Sequence, residues 1–196
     1  MDIILPDGSF NLAYAKTIKY ADKGLFISAE YGCKDGIEYF IGNRGANAAI
    51  NYAMIYAGFG GHIISIDTLV KEYGAYEWNW CMYGAARGGH QDVIDYCIMH
   101  GANEWNWGMR DAARGGHLDI VKFFRDKGAS DLIGAMESAD YGSKERPLVM
   151  DVNTWDYGMF MVNTGKYGMS VQVQDKTKYQ DLISYLDTEI QCSVFK

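Results

Sequence analysis

The sequence predicts a mainly α protein: helix pairs stacked in layers as a solenoid, followed by a small α+β region at the C-terminal end. Three observations predict it. The stretch "EWNWCMYGAARGGHQDVIDYCIMHGAN" (77–103) is followed at once by "EWNWGMRDAARGGHLDIVKFFRDKGAS" (104–130), a repeat of 27 residues. Gly-Ala pairs at 45–46, 74–75, 101–102 and 128–129, and Gly-His pairs at 61–62, 89–90 and 116–117, drift together at spacings of 27 to 29 residues. After residue 144 the pattern changes to short runs of strand character. The expected division is a capping segment over 1–23, a repeat stack over 24–144, and a strand-rich region with a C-terminal helix over 145–196.

Taken in order, "NLAYAKTIKYADKG" (11–24) reads as one capping helix ending at Gly24, because the first layer of a stack needs cover. The first unit (24–47) has Ala29, a break at Gly32, an Ile37/Phe40/Ile41 stripe and a stop at Gly45. The second (48–76) repeats that plan with one extra residue in its second helix. The fourth unit is the clearest. "WGMRDAARGG" predicts a short first helix, closed by Gly115 and Gly116, since glycine tolerates the left-handed cap. "LDIVKFFRDK" predicts a second helix, with Asp119 in its first turn and Lys127 in its last, as the helix dipole favours. Met109, Ala112 and Ala113 share one face and match Met82, Ala85 and Ala86 one unit earlier. Small alanines there let helices of neighbouring units approach closely. Ile120, Val121 and Phe124 point inward from the second helix, as Ile94 and Cys97 do before them. Burying each large one contributes about 1.5–3 kcal/mol. A single pair cannot close such a core, and stacked pairs can.

"DLIGAMESADYGS" (131–143) reads as the first helix of a fifth unit whose second helix does not follow. Beyond it, "MFMV" and "MSVQV" flank "NTGKYG" as a hairpin, and "LVMDV" supplies a third strand. "DKTKYQDLISYLDTEI" (175–190) is an amphipathic helix with Tyr179, Leu182, Ile183, Leu186 and Ile190 on one side. This tail either caps the open end of the stack or docks the protein into a larger assembly. Met150, Met159, Met161 and Met169 would give it an adaptable apolar surface.

Composition narrows the function. The chain has 196 residues, 48% of them hydrophobic, and a net charge of −7. It offers no basic face to a phosphate backbone, so no nucleic acid is expected as partner. The most apolar window (48–66) is interrupted by Asn51, His62 and three glycines, so no membrane span is expected. The N-terminus does not read as a signal peptide. Cys33, Cys81, Cys97 and Cys192 form no CxxC pair and read as reduced thiols of an intracellular, reducing compartment. No motif of a hydrolase, phosphate loop or metalloprotease is present. No catalytic residue and no cofactor is expected. No metal site is expected either: His62, His90 and His117 lie on successive layers, about 8–10 Å apart, too far to share one ion. They are expected to hydrogen-bond the turns between helices.

The phrase "AARGGHLDIVKFFRDKGA" (112–129) resembles the second half of the ankyrin repeat, which carries Ala-Ala, Gly-His, Ile-Val and Gly-Ala at these spacings. The likeness runs from residue 24 to residue 130 and is strongest in the third and fourth units. Two departures stand out. The usual Thr-Pro-Leu-His opening is replaced by "WCMY" and "WGMR", and the unit is about six residues shorter than the usual 33. The projecting hairpin finger is therefore expected to be absent or reduced to a tight turn. Short units with Trp in that place and the "AARGGH" phrase are similar to those in proteins of large DNA viruses infecting amoebae, which implies host cytoplasm or virion.

The resemblance implies a non-enzymatic scaffold that binds another protein, as a monomer or weak oligomer. The alternative is a structural component of a viral particle or other assembly, docked through its C-terminal region. The resemblance also implies a contact surface on the turn before each first helix and on that helix's outward stripe. Carried over, this names Glu77, Asn79, Tyr83, Gly84 and Arg87 in the third unit, and Glu104, Asn106, Arg110, Asp111 and Arg114 in the fourth. Helix spacing independently puts 107, 110, 111 and 114 opposite 109, 112 and 113. Arg87, Arg110 and Arg114 form a stripe that either receives acidic groups or is an ordinary solvated face. Trp80 and Trp107 are read as filling space between layers, and Trp78 and Trp105 as either filler or contact residues.

Overall fold

A computed structural model describes residues 3–144 and 176–194. The strands expected within 145–175 lie outside the described residues. Among the described residues the chain is mainly helical. Its β structure there is a single antiparallel bridge between Ile4 and Phe10.

The N-terminal segment places Ile3, Ala15 and Ile18 in the core. Its helix is shorter than expected: α1 spans Leu12–Ala15, with the Asn11 side chain accepting from the Tyr14 N–H. The second helix, α2 (Ala21–Glu30), runs straight through Gly24, where a stop was expected. Gly24 lies under the Phe40 ring, and any Cβ there would strike it, so the glycine serves close approach rather than termination. The boundary expected between 23 and 24 therefore falls inside a helix.

The rest follows as pairs. Helix α3 (Lys34–Glu38) continues into a π-helical turn (Tyr39–Asn43) and is followed by a 3-10 turn (Ala46–Ala49). Then come α4 (Ile50–Gly60) with α5 (Ile63–Lys71), α6 (Trp78–Gly88) with α7 (Gln91–Met99), and α8 (Trp105–Gly115) with α9 (Leu118–Asp126). Helix α10 (Leu132–Lys144) follows. Each pair is closed twice by a left-handed glycine. In α8–α9 these are Gly116 (φ +76°) and Gly128 (φ +104°), and the earlier stops Gly45, Gly74 and Gly101 repeat the second corner at +74°, +72° and +100°.

The first helices α2, α4, α6, α8 and α10 pack side by side in that order. Their contact faces carry Ala29, Ala57, Ala85, Ala112 and Ala139, all fully buried. Glycine makes the approach closer still. A Cβ on Gly60, Gly88, Gly115 or Gly142 would meet the backbone carbonyl of Glu30, Phe59, Arg87 or Arg114 in the preceding layer. Val93, Ile94 and Cys97 on α7 and Val121 and Phe124 on α9 fill the space within each pair. The histidines link the layers: His62 lies against Gly32, His90 against Gly61 and His117 against Gly89. His117 Nε2 is 3.0 Å from the Arg87 carbonyl oxygen.

Helix α11 (Lys176–Val194) corrects the expectation that α10 has no mate. It packs on α10 and α9. Lys178 and Tyr179 lie against Gly116, the place that the next histidine of the series would occupy. The Tyr179 hydroxyl donates to the Arg114 carbonyl at 2.8 Å and Lys178 Nζ to the Gly115 carbonyl at 2.7 Å. Tyr179, Leu182 and Leu186 are buried at the spacing of His117, Ile120 and Phe124. Farther along, Lys122 sits 5.3 Å over the Tyr185 ring and Arg125 lies 3.5 Å from Glu189, so α11 runs parallel to α9. It thus stands where a second helix of the last pair belongs.

Candidate functional site

The first helices of the third and fourth units open with the same four residues, Glu-Trp-Asn-Trp, and the four side chains do different things. Glu77 and Glu104 occupy the N-caps of α6 and α8, where a negative charge complements the helix dipole, without capping a backbone N–H. Asp131, one unit on, does cap, accepting from the Gly134 N–H at 3.0 Å. Trp78 and Trp105 turn inward. Trp78 stacks on His100 with ring centroids 4.2 Å apart, and Trp105 lies 6.4 Å from Phe124. Both are packing residues of their own pair.

Asn79 and Asn106 tie one layer to the next. Asn79 Oδ1 accepts from the backbone N–H groups of Asn103 and Glu104 at 2.9 and 3.2 Å, and Asn106 Oδ1 from those of Ser130 and Asp131 at 2.7 and 3.0 Å. Asn51 makes the same bond to Tyr76 at 3.0 Å. These asparagines satisfy turn donors that would otherwise lack a protein partner. Two of the expected contact residues are therefore occupied in holding the layers together.

The outward stripe begins with the residue after each asparagine: Tyr52, Trp80 and Trp107. Trp80 stacks on Tyr52 of the preceding layer at 4.9 Å, as an interlayer filler would. Trp107 does not fill space. It is 53% exposed, 6.4 Å from the Tyr83 ring, with the Arg110 guanidinium 4.8 Å over its own ring. One turn farther, Tyr83 and Arg110 reach forward to the acid of the following layer. The Tyr83 hydroxyl donates to Glu104, and Arg110 Nε lies 3.5 Å from Asp131 Oδ2. The equivalent residue in α4 is Ile55, which cannot do this. Among the described residues the Glu77 side chain has no ion pair or hydrogen bond.

The arginine stripe is not uniform. Arg87 is only 8% exposed, its stem buried between layers, so it is no free contact residue. Arg114 is partly buried, with its guanidinium 4.4 Å over Tyr141. Between them, at the position of Gly84 one unit earlier, sits Asp111. Burial pushes its carboxyl up to about 6, against the opposing pull of Arg87, Arg114 and Arg110. Tyr56 is raised as well, first by burial and then by the Glu30 charge, with Arg87 opposing. Glu30, Tyr56 and Arg87 are thus a buried polar strip that continues toward Asp111.

Of the expected contact residues, Glu77, Tyr83, Glu104 and Arg110 share one open face, whereas Asn79, Asn106, Arg87, Asp111 and Arg114 serve the interior or the joints. Sequence reasoning missed Tyr52 and Asp131 as members of that face, and it read Trp107, which helix spacing put there, as a filler between layers. Their signal was present: an Asn-aromatic pair recurs at 51–52, 79–80 and 106–107. The four cysteines are free thiols; Cys81 and Cys97 are buried side by side, with Cys81 raised by its hydrogen bond to Cys97 and by burial. No three His, Cys, Asp or Glu side chains gather as metal ligands among the described residues, and no helix there is long and apolar enough to cross a membrane. No protein-family model matches the chain, and no curated protein matches it either.

Proposed function

We propose that the chain is a non-enzymatic protein–protein interaction scaffold, an ankyrin-like solenoid that binds another protein through the outward face of its first helices and the turns before them. The single observation that carries this reading is Trp107. A large aromatic ring at 53% exposure contributes little to the fold, and Trp is the residue most enriched at binding hot spots. Its surroundings support the reading: Tyr83 and Arg110 flank it, Tyr52 and Trp80 continue the stripe, and Tyr76 is exposed on the turn before α6. The backbone beneath is held by the asparagine ties, so the stripe sits on a rigid support. The packing of α11 on α9 and α10 favours the capping role of that helix over a docking role.

The test is capture by the tagged chain and by Trp107→Ala, with melting temperatures measured in parallel. The variant is expected to keep its melting temperature within a few degrees and to lose the proteins captured by the wild type. Identical capture by the two proteins would remove this face from the account.

A further inference from the structure

Inside the pairs one register recurs: a residue of the first helix is matched by the residue sixteen positions later on its mate. In the first and fourth pairs the match is a glycine under a ring. Gly24 lies under Phe40 and Gly108 under Phe124, each placed so that any Cβ would strike the ring. In the second pair the same spacing falls on Ala53 and Leu69, both fully buried. All three couple a small residue to a large one. The third pair departs from that plan. It holds Cys81 on α6 and Cys97 on α7, equal in size, with no exposed surface, and their thiols share a hydrogen bond. Cys33 is buried elsewhere, and Cys192 is exposed near the end of α11.

From this register we infer that Cys81 and Cys97 are a modification site, a dithiol that hydrogen peroxide converts to a disulfide stapling α6 to α7. One thiol gives up its proton and attacks the peroxide O–O bond. It keeps one oxygen as a sulfenic acid, and the other leaves with that proton as water. The second thiol attacks the sulfenic sulfur. The S–S bond forms, the S–O bond breaks, and the hydroxyl leaves with the second thiol proton as another water. Two electrons pass from the sulfurs to the peroxide. Thiols already in hydrogen-bond contact face each other, so closing the bond asks for side-chain rotation more than for a backbone shift. Burial sets the rate. The hydrogen bond to Cys97, and then burial, hold the Cys81 thiol well above its ordinary range, so the closed fold carries almost no thiolate. Oxidation therefore waits until α7 lifts from α6, a local opening that a stack of separately packed pairs allows. When the pair closes again the disulfide is buried where the thiols were, and a reducing thiol must wait for the same opening.

The experiment treats the full chain with hydrogen peroxide, in buffer and in urea below the unfolding transition. Free thiols are then blocked, the urea is removed, and the cysteines are mapped by mass spectrometry without reduction. The expected product joins the peptide carrying Cys81 to the one carrying Cys97, lighter by two hydrogens than the two thiol peptides together. It is expected to form at least roughly tenfold faster in urea than in buffer. The cross-linked protein is expected to melt roughly 5–10 °C higher than the reduced one. Cys192→Ser, a change at an exposed position, is expected to cross-link at the wild-type rate. Loss of the link in that variant would mean that the bond is handed on from Cys192, and would overturn the direct reaction. Cys81 and Cys97 that stay thiols in urea while Cys192 is oxidised, or that end as separate sulfinic acids, overturn the inference and leave the pair as two small buried apolar residues. A link that lowers the melting temperature overturns it as well, because the folded backbone would then resist the bond.

Discussion

Asp111 shows how one position balances opposing effects. Its neighbour one unit earlier is Gly84, which a Cβ would drive into the Ile55 carbonyl, so the same place holds no side chain in one layer and a charged one in the next. Burial raises the Asp111 pKa to about 6 from an ordinary carboxylate value of 3.8, despite three arginines. A carboxyl raised in the fold contributes no cost while it is protonated in both states. Its cost appears as pH rises through the window between those values, because the unfolded chain then gives up its proton while the poorly solvated group in the fold still holds it. Asp111→Asn should therefore match the wild type near pH 4. Its advantage in melting temperature should grow toward pH 6 to 7 and then level off. A variant that loses stability across that window would show that the arginines outweigh burial.

His62 and His117 act in the other direction. Burial is the first cause holding each below the ordinary histidine value, so they are lost stabilisers as pH falls through 6.5 and below. At this scale the sequence was partly legible. Residues repeated without change, such as Asn79/Asn106, Arg87/Arg114 and His90/His117, turn out to join layers. The substituted pair Tyr83/Arg110 faces outward. Asn79 and Arg87 were misplaced because helix periodicity tells which way a side chain leaves the backbone, and not what it meets after three or four bonds.

Among the elements, glycine inside the first helices sets how near one helix comes to the next. Gly115→Ala should destabilise by about 1–3 kcal/mol, because the new methyl group meets the Arg87 carbonyl and the His117 ring. Gly42→Ala is the control: nothing lies within reach of its Cβ, its φ is not left-handed, and the change should be neutral or stabilising by up to about 1 kcal/mol. Urea denaturation of the two variants separates close approach from backbone entropy. Reversal of that order would refute the assigned contact. The elements of the third and fourth pairs were legible because apolar spacing, glycine stops and terminal charges agreed there. The N-terminal helices were less so: the apolar face of α2 extends on both sides of Gly24, and only the Phe40 ring above it explains why the helix does not stop. The place of α11 was illegible for a different reason. Its apolar face was plain, but repeat arithmetic assigns neighbours by fixed spacing, and this helix comes in well out of phase.

For the molecule as a whole, stability is shared between adjacent pairs, so each end needs cover. Ile3, Ala15 and Ile18 provide it at one end, and Tyr179, Leu182 and Leu186 at the other. Deleting residues 176–196 should expose the outer sides of α9 and α10, lower the melting temperature by several degrees, and leave α4 to α8 protected in hydrogen exchange. Uniform loss of protection along the chain would mean that the pairs unfold as one unit instead.

The way α11 joins the last pair sets an order of events. Gly115 and His117 are adjacent to one turn, whereas Gly142 and Tyr179 must be drawn together from far apart along the polymer. Closing that longer circuit costs the unfolded chain about 2–3 kcal/mol more in entropy than a two-residue turn does. The final helix should consequently be the last to dock during refolding and the first to detach during unfolding. Until it docks, a newly made chain presents a bare hydrophobic terminus that another copy can occupy, which makes the concentration at which the protein is refolded a determinant of its yield.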